Sequence, residues 1–374
     1  MKISVYNKFT DDLKGYWRKI SCTENNLGFQ DYYWLSNWQE SVGGKDNSNN
    51  LFIIVVCLDD DSPLVIFPFN LRVVLKIRIL EFLGRGQCDY NSPIINYSKV
   101  DKHLITNIWQ EVRKVLPKHD IKFFLRLPNL IHGNNNLFSN IFNSKPGPIS
   151  YQAVLPNSWE DYRLSISSKI IKDNARMRRR LCEKGSLTFI NEPTVNLSQK
   201  FVEFIIKQKT FKYKETGARN QLSSQRVRDF YSNTVNLKKI SSDNFSIHIS
   251  GLMLDDEIIA AHLGFTSGNQ FYYLMPAYSN DIRFAKFSIG RLLLENLIKW
   301  SIESDYQVFD FTTGSELYKD IWCNSTNLTK NYIYAKTISG KDFMYCYFGI
   351  SWLKNNSKTR EVILKIVRLY NKFF

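Results

Sequence analysis

The stretch from 245 to 322 constrains the fold more than any other part of the chain. Two apolar runs, 245–254 and 257–265, are joined by Asp255-Asp256, and a third follows at 270–275. A loop, 276–287, leads to an amphipathic segment, 288–304, and then to a further apolar run, 308–311. Behind it comes Thr312-Thr313-Gly314-Ser315-Glu316-Leu317-Tyr318-Lys319-Asp320-Ile321-Trp322. The order reads strand, strand, strand, helix, strand, short helix. The remaining chain either completes this unit or supplies a second one beside it.

At 374 residues the chain is too long for one ordinary core, so two domains are expected, 1–150 and 151–345, followed by a basic amphipathic segment, 346–374. A hydrophobic content of 44% and an aromatic content of 14% suit a globular protein and argue against disorder. The net charge of +15 points to an anionic partner: a nucleotide, a CoA ester, an acidic glycan, nucleic acid or a membrane surface. The competing explanation is a basic solvated surface. Cys22, Cys57, Cys88, Cys182, Cys323 and Cys346 are scattered without a CxxC pair, which reads as reduced thiols of a cytosolic protein. The five histidines show no metal-ligand spacing, so no metal is expected. Residues 1–17 carry Lys2, Lys8, Asp11, Asp12 and Lys14 and no apolar core of a signal peptide. The longest apolar run, 51–58, is far short of the roughly 20 residues that span a bilayer. The expected location is cytoplasmic, at most peripheral at the inner face of the membrane.

Along the chain, 1–50 reads as short helices with an aromatic cluster in which Trp34 and Trp38 are one turn apart, a packing arrangement. Strands are expected at 51–58, 64–71 and 72–83. The loop Gly84-Arg85-Gly86-Gln87-Cys88-Asp89-Tyr90 is a candidate ligand loop, with an ordinary turn as the alternative. A helix is expected at 101–116, a strand at 121–127 and an exposed interdomain connection at 129–148. Residues 158–184 read as helical, with Ile166, Ile170, Met177 and Leu181 on one face and Gly185 at the C-terminal cap. The other faces carry Arg178-Arg179-Arg180, more charge than a helix dipole needs, and guanidinium groups match phosphate or carboxylate. A strand at 187–191, helices at 197–215 and 223–240 (capped by Ser223) and a strand at 331–338 complete the reading. The tail 358–374 is basic and amphipathic: it either packs on the domain or lies on an anionic membrane. Residues 51–71 and 245–265 both read strand, acidic turn, strand, which suggests a duplicated unit.

From 187 onward the element order is that of the GNAT acyltransferase fold. The segments LMLDDEIIAAHLGF (252–265), Tyr272-Tyr273, Ala277-Tyr278, Phe287-Ser288-Ile289-Gly290-Arg291-Leu292-Leu293-Leu294, Phe309-Asp310-Phe311, Gly314 and Tyr318-Lys319-Asp320-Ile321-Trp322 resemble the acetyltransferase family named after cellulose biosynthesis (CelD/BcsL-like). The basic helix, the Trp34/Trp38 segment and the Leu83-Gly84…Asp89-Tyr90 loop are similar to that family too, so the resemblance covers nearly the whole chain. That family is similar to the tandem-GNAT Fem-type transferases.

The resemblance implies a mixed α/β fold of two tandem GNAT-like domains, the first degenerate, each a mostly antiparallel sheet flanked by helices. It implies acetyl-CoA or another acyl-CoA as donor, and an anionic amino-sugar-type acceptor in cell-surface polysaccharide synthesis. Strands 270–275 and 308–312 would splay apart, with Leu274 and Met275 along the pantetheine arm. Ser288, Ile289, Gly290 and Arg291 would open a helix towards the pyrophosphate. The usual signature there, Arg/Gln-x-x-Gly-x-Gly/Ala, is incomplete: only Gly290 remains. Asp310 or Glu316 would deprotonate the acceptor ammonium. Asp310 alternates with Phe309 and Phe311 and so points away from them. Tyr318 is either a general acid towards the departing thiolate or a ring packed on the core. Lys319, Arg179, Arg180, Asp89 and Tyr90 are the expected acceptor-binding groups. Two readings compete with this one: a Fem-type transferase using charged tRNA, and a non-catalytic binding module of an envelope assembly complex.

Overall fold

The computed structural model describes residues 1–21, 26–217, 220–238, 244–314 and 316–355. The first part runs β1 (Lys2–Tyr6), α1 (Asp11–Ser21), α2 (Tyr32–Trp38), β2 (Asn49–Cys57), β3 (Pro63–Val74), β4 (Ile77–Phe82), β5 (Ile94–Ile95), α3 (Lys102–Val115), β6 (Ile121–Pro128), β7 (Leu130–Ile131) and β8 (Asn134–Asn135). The second runs β9 (Lys145–Val154), α4 (Trp159–Ser165), α5 (Ser168–Cys182), β10 (Leu187–Ile190), α6 (Val195–Thr216), α7 (Gln225–Leu237), β11 (Phe245–Leu254), β12 (Glu257–Ser267), β13 (Gln270–Tyr278), α8 (Ile289–Glu303), β14 (Val308–Thr313), α9 (Lys319–Trp322), β15 (Ser325–Ala335) and α10 (Ile338–Asn355).

Among the described residues one mixed sheet of thirteen strands unites both parts, in the order β1-β2-β3-β4-β6-β15-β9-β14-β13-β12-β11-β10, with β5 on β3. The internal repeat is visible in its topology. β2, β3 and β4 form an antiparallel meander, and a crossover through α3 returns β6 parallel to β4. β11, β12 and β13 do the same, and α8 returns β14 parallel to β13. The strand after each unit is exchanged: β9 follows β6 but pairs with β14, and β15 follows β14 but pairs with β6 and β9. Residue 150 therefore lies within an exchanged strand.

Apolar packing on both faces holds the sheet. Against one face, α1, α2, α6 and α7 close a cluster drawn from both parts of the chain. Trp34 is its hub, fully buried between Phe230 at 4.8 Å and Phe265 at 5.2 Å between ring centres. The packing expected of Trp34 and Trp38 is what the fold contains. α4, α5 and α8 cover the other face of the second unit, and α3 packs on the first through Phe67, Phe69, Trp109, Phe124 and Phe138.

Several local expectations are corrected. The first fifty residues include the strand β1, paired with β2 from Lys2↔Cys57 to Tyr6↔Ile53. The segment 129–148 is not an exposed connection: Asn136, Phe138 and Ser139 are buried, and β9 begins at Lys145. The last strand starts at Ser325 rather than 331, and Ile338 opens a helix. Ser224, not Ser223, takes the N-cap position of α7. Gly185 lacks the left-handed conformation of a C-terminal cap; a Cβ there would meet the Asp255 carboxylate that accepts the Ser186 N–H. The tail 358–374 lies outside the described residues.

Candidate active site

β13 and β14 pair only over Gln270↔Val308, Phe271↔Phe309 and Tyr272↔Asp310. Beyond that point β13 continues on β12 to Tyr278, while β14 stays on β9. The two parallel strands thus splay, and the backbone of Tyr273–Met275 loses its partner on that side. Leu274 and Met275 lie on the open arm.

Asp310 stands at the fork. It is 1% exposed, and its carboxylate accepts from the Tyr90 hydroxyl at 2.8 Å, the Gln152 amide at 2.8 Å and the Thr312 N–H at 2.6 Å. Burial pushes this carboxyl up to about 6, against the pull of its three donors. The bond to Thr312 holds that residue at φ 60°, where the register with β9 slips between Asp310 and Thr313. Asp310 therefore shapes the bend that carries the chain out of β14. It is sealed from solvent.

The loop beyond is pinned by Lys319. Its ammonium donates to Thr313 O at 3.2 Å and Gly314 O at 3.5 Å and pairs with Glu316 at 2.9 Å. The Lys319 side chain is 3% exposed, that of Glu316 57%. So the structure brings Glu316 and Lys319 together as expected from their spacing, but it is the carboxylate that faces outward. Tyr318 packs at 6.2 Å from Phe311, on the side of the strand away from Asp310. Burial, and then the Glu316 charge, raise its phenol above the ordinary range.

At the other end of the fork α8 begins. Ser288 adopts φ 50°, ψ 41°, the left-handed conformation that glycine ordinarily supplies, so serine fills a glycine's role in the shortened signature. The Arg291 and Leu292 N–H groups turn back on Ser288 O, and those before them face the helix's open end. A Cβ on Gly290 would lie 2.8 Å from the Tyr278 ring, whose hydroxyl accepts from Lys212 at 3.2 Å. Positive charge gathers here. Lys286 lies 5.4 Å and Arg180 6.0 Å from the Phe287 ring centre, one residue before Ser288. Arg178 is consumed by Glu295 at 2.9 Å, Arg291 by Asn174 at 2.5 Å, and Arg179 is exposed.

A cleft opens between the two parts of the chain. Gly86, Gln87 and Asp89 form one wall, Lys209, Tyr213 and Tyr231 another, and Leu274 and Met275 the floor. The loop 84–90 is thus divided: Asp89 faces the cleft and pairs with Arg126 at 3.4 Å, whereas Tyr90 turns inward to Asp310. Lys209 was not singled out by sequence. The signal was there: Leu197, Phe201, Ile205, Lys209 and Tyr213 recur every four residues, which sets a lysine on the apolar stripe of α6. Burial, and then Lys212, push its ammonium down to about 8.

A splayed parallel pair with a helix N-terminus at its open end offers unpaired backbone groups to an extended ligand and free N–H groups to an anion at its end. Residues 168–320 match the family described as acetyltransferase (GNAT) domain, and this part of the chain is a GNAT-type acyltransferase domain, which implies an acyl-CoA donor. No curated protein matches the chain in sequence. Among solved structures, FemX superposes with a TM-score of 0.60 at 10% identity, covering 90% of this chain and 97% of that one. L-PGS from Bacillus licheniformis gives 0.50 at 11% identity, over 92% and 97%. The C-terminal domain of a putative lysylphosphatidylglycerol synthetase from Agrobacterium fabrum gives 0.50 at 8%, over 83% and 94%. At these identities the likeness is one of fold, here a fold spanning both repeats. Among the described residues no helix is long and apolar enough to cross a membrane.

Proposed function

We propose that the protein moves an acyl group, acetyl being the first candidate, from acyl-CoA to the amino group of an amino sugar or related amine used in cell-surface polysaccharide synthesis. The cellulose-biosynthesis-type motifs suggest that acceptor class. The observation that carries the reaction is the fork itself: an unpaired strand edge at Tyr273–Met275, with Leu274 and Met275 lining the cleft, a helix N-terminus at Ser288–Arg291 after one arm and an outward carboxylate at Glu316 after the other. In this reading the pantetheine amides pair with the open edge. The pyrophosphate meets the first turn of α8, with Lys286 and Arg180 beside it.

An acceptor amine is mostly protonated at neutral pH, so attack on a thioester needs a proton acceptor at hand. Glu316 takes that role because it is the carboxylate open to solvent, held in place by Lys319. Asp310 acts through the bend it maintains and is a positioning residue. Asp89, on the cleft wall, meets the acceptor; the attacked thioester collapses with loss of thiolate, which Tyr318 or water protonates. The site of action is the cytoplasm, with the basic tail as a contact to the inner membrane face. The +15 charge also suits the second reading, a Fem-type transferase with charged tRNA as donor. Thermal unfolding with millimolar acetyl-CoA separates the two. Stabilisation is expected by mass action; no shift, with salt-sensitive tRNA binding in its place, overturns the acyl-CoA reading.

A further inference from the structure

We propose that Lys209 is a self-acylation site: a bound acyl-CoA transfers its acyl group to the Lys209 Nζ, and the resulting amide closes the acceptor side of the cleft. This rests on the acyl-CoA reading above and adds a covalent state of the enzyme to it.

The position of Lys209 carries the proposal. It shares the cleft with Leu274 and Met275, on the arm of the fork where the thioester end of the donor would lie. The Glu316 charge, from the loop after the opposite arm, is among those that act on Lys209. Lys209 therefore stands on the helix that packs against β12 and β13, in the cleft beside the open arm of the fork. Among the described residues its ammonium has no hydrogen-bond acceptor and no ion-pair partner in contact, unlike Lys319. Such a group is free to approach a carbonyl carbon.

The charged and titratable groups around it set its protonation. Lys212 on the same helix lowers its proton affinity and Glu316 raises it, while desolvation by the cleft dominates. His262 from β12 feels the Lys209 charge but is buried and held neutral. Asp89, Tyr213 and Tyr231 complete the surroundings, with Asp89 already paired to Arg126. Burial pushes its ammonium down to about 8, so at pH 8 far more of Lys209 is neutral amine than of an ordinary surface lysine.

The step balances. The ammonium first releases one proton to solvent. The neutral nitrogen attacks the thioester carbon, the C–S bond breaks, and the remaining excess proton passes to the thiolate. The products are a secondary amide, free CoA thiol and one proton. The new amide carries no charge and fills space between Leu274 and Gln87.

The test needs no knowledge of the acceptor. The full-length protein is incubated with acetyl-CoA at pH 8 and followed by intact mass and peptide mapping. One acetyl group per chain is expected, mapped to Lys209, with a rate at least tenfold above that of Lys207 or Lys214 on the same helix. Lys209→Arg, which keeps the charge and removes the nucleophile, should stay at the original mass. Acetylation spread evenly over Lys207, Lys209 and Lys214 overturns the proposal, as does an unchanged increment in Lys209→Arg. If acetyl-CoA stabilises the fold but no acetyl is added, self-acylation is wrong and the donor reading stands. If neither occurs, both fail.

Discussion

The Tyr90 hydroxyl donates a hydrogen bond of 2.8 Å to the Asp310 carboxylate, across 220 residues of sequence and between the two repeats. The loop that holds Tyr90 belongs to the first unit, and the fork that needs Asp310 belongs to the second. Tyr90→Phe removes one of three donors from a buried carboxylate, which should cost about 2 kcal/mol of stability. Chemical denaturation of both proteins measures it. An unchanged midpoint would mean that Gln152 and Thr312 suffice to hold Asp310.

Asp310 also makes stability depend on pH in a defined direction. Its folded proton affinity, about 6, exceeds the unfolded value of 3.8. Between those values the folded chain holds a proton that the unfolded chain has released, so stability falls as pH rises through the window. The full effect is about 3 kcal/mol. In Asp310→Asn the amide oxygen can keep the Tyr90 and Thr312 donors, and a turned Gln152 amide can accept from the new nitrogen. That variant should fold and lose this part of the slope. Asp31, at the N-terminus of α2, is pushed by burial to about 7 and leaves a residual slope of the same sign. Stability of both proteins from pH 4 to 8 checks the difference.

The second unit was legible because its strands and helix carry their own periodicity. The direction of Asp310 followed from the alternation with Phe309 and Phe311. The exchanged strand β9 was not legible, because Lys145-Pro146-Gly147-Pro148 reads as a turn. Its place in the sheet depends on β15, about 180 residues away, through Ser150↔Asn327 and Leu328↔Ile149. Gly147 serves that close approach, since a Cβ would lie 2.5 Å from the Thr329 hydroxyl. The partners of Asp310 and the surroundings of Lys209 are long-range facts of the same kind. Local pattern could place these residues on elements but could not bring the elements together.

Gly290 offers a test of the donor cradle that leaves the rest of the fold alone. A valine there pushes against the Tyr278 ring and crowds the first turn of α8. Gly290→Val should fold, yet lose most of the acyl-CoA stabilisation expected of the native chain. A thermal shift that survives in this variant would place the pyrophosphate elsewhere.

Glu316 and Lys319 should separate in their effects. Glu316→Gln removes the outward carboxylate but keeps an amide oxygen that can accept from the buried Lys319 ammonium, which also retains Thr313 O and Gly314 O. Stability should hardly change while kcat drops about 10²-fold or more and recovers in part at high pH. Lys319→Ala leaves Thr313 O, Gly314 O and Glu316 without their shared donor. It should lower kcat and stability together, because it releases the loop that carries Glu316. Near-native turnover in Glu316→Gln would move the base to another group.

The arginines of α5 discriminate between donor and acceptor. Their charge alone suggests an anionic acceptor, but Arg180 lies against Phe287, immediately before the first turn of α8, with Lys286 on the same ring. In the proposed pose that is the donor end of the fork. Arg178 is tied to Glu295, so Arg179 and Arg180 are the members of the triplet open to a ligand. CoA presents its phosphates along this edge in the proposed pose, and guanidinium groups match phosphate oxygens well. The Arg179→Ala, Arg180→Ala double variant should therefore raise KM for acyl-CoA about tenfold, some 1.4 kcal/mol, and leave the acceptor's KM within about twofold. Steady-state kinetics with each substrate varied in turn decides it. A rise confined to the acceptor would return these arginines to the acceptor side, and no change in either would make the helix a solvated basic face.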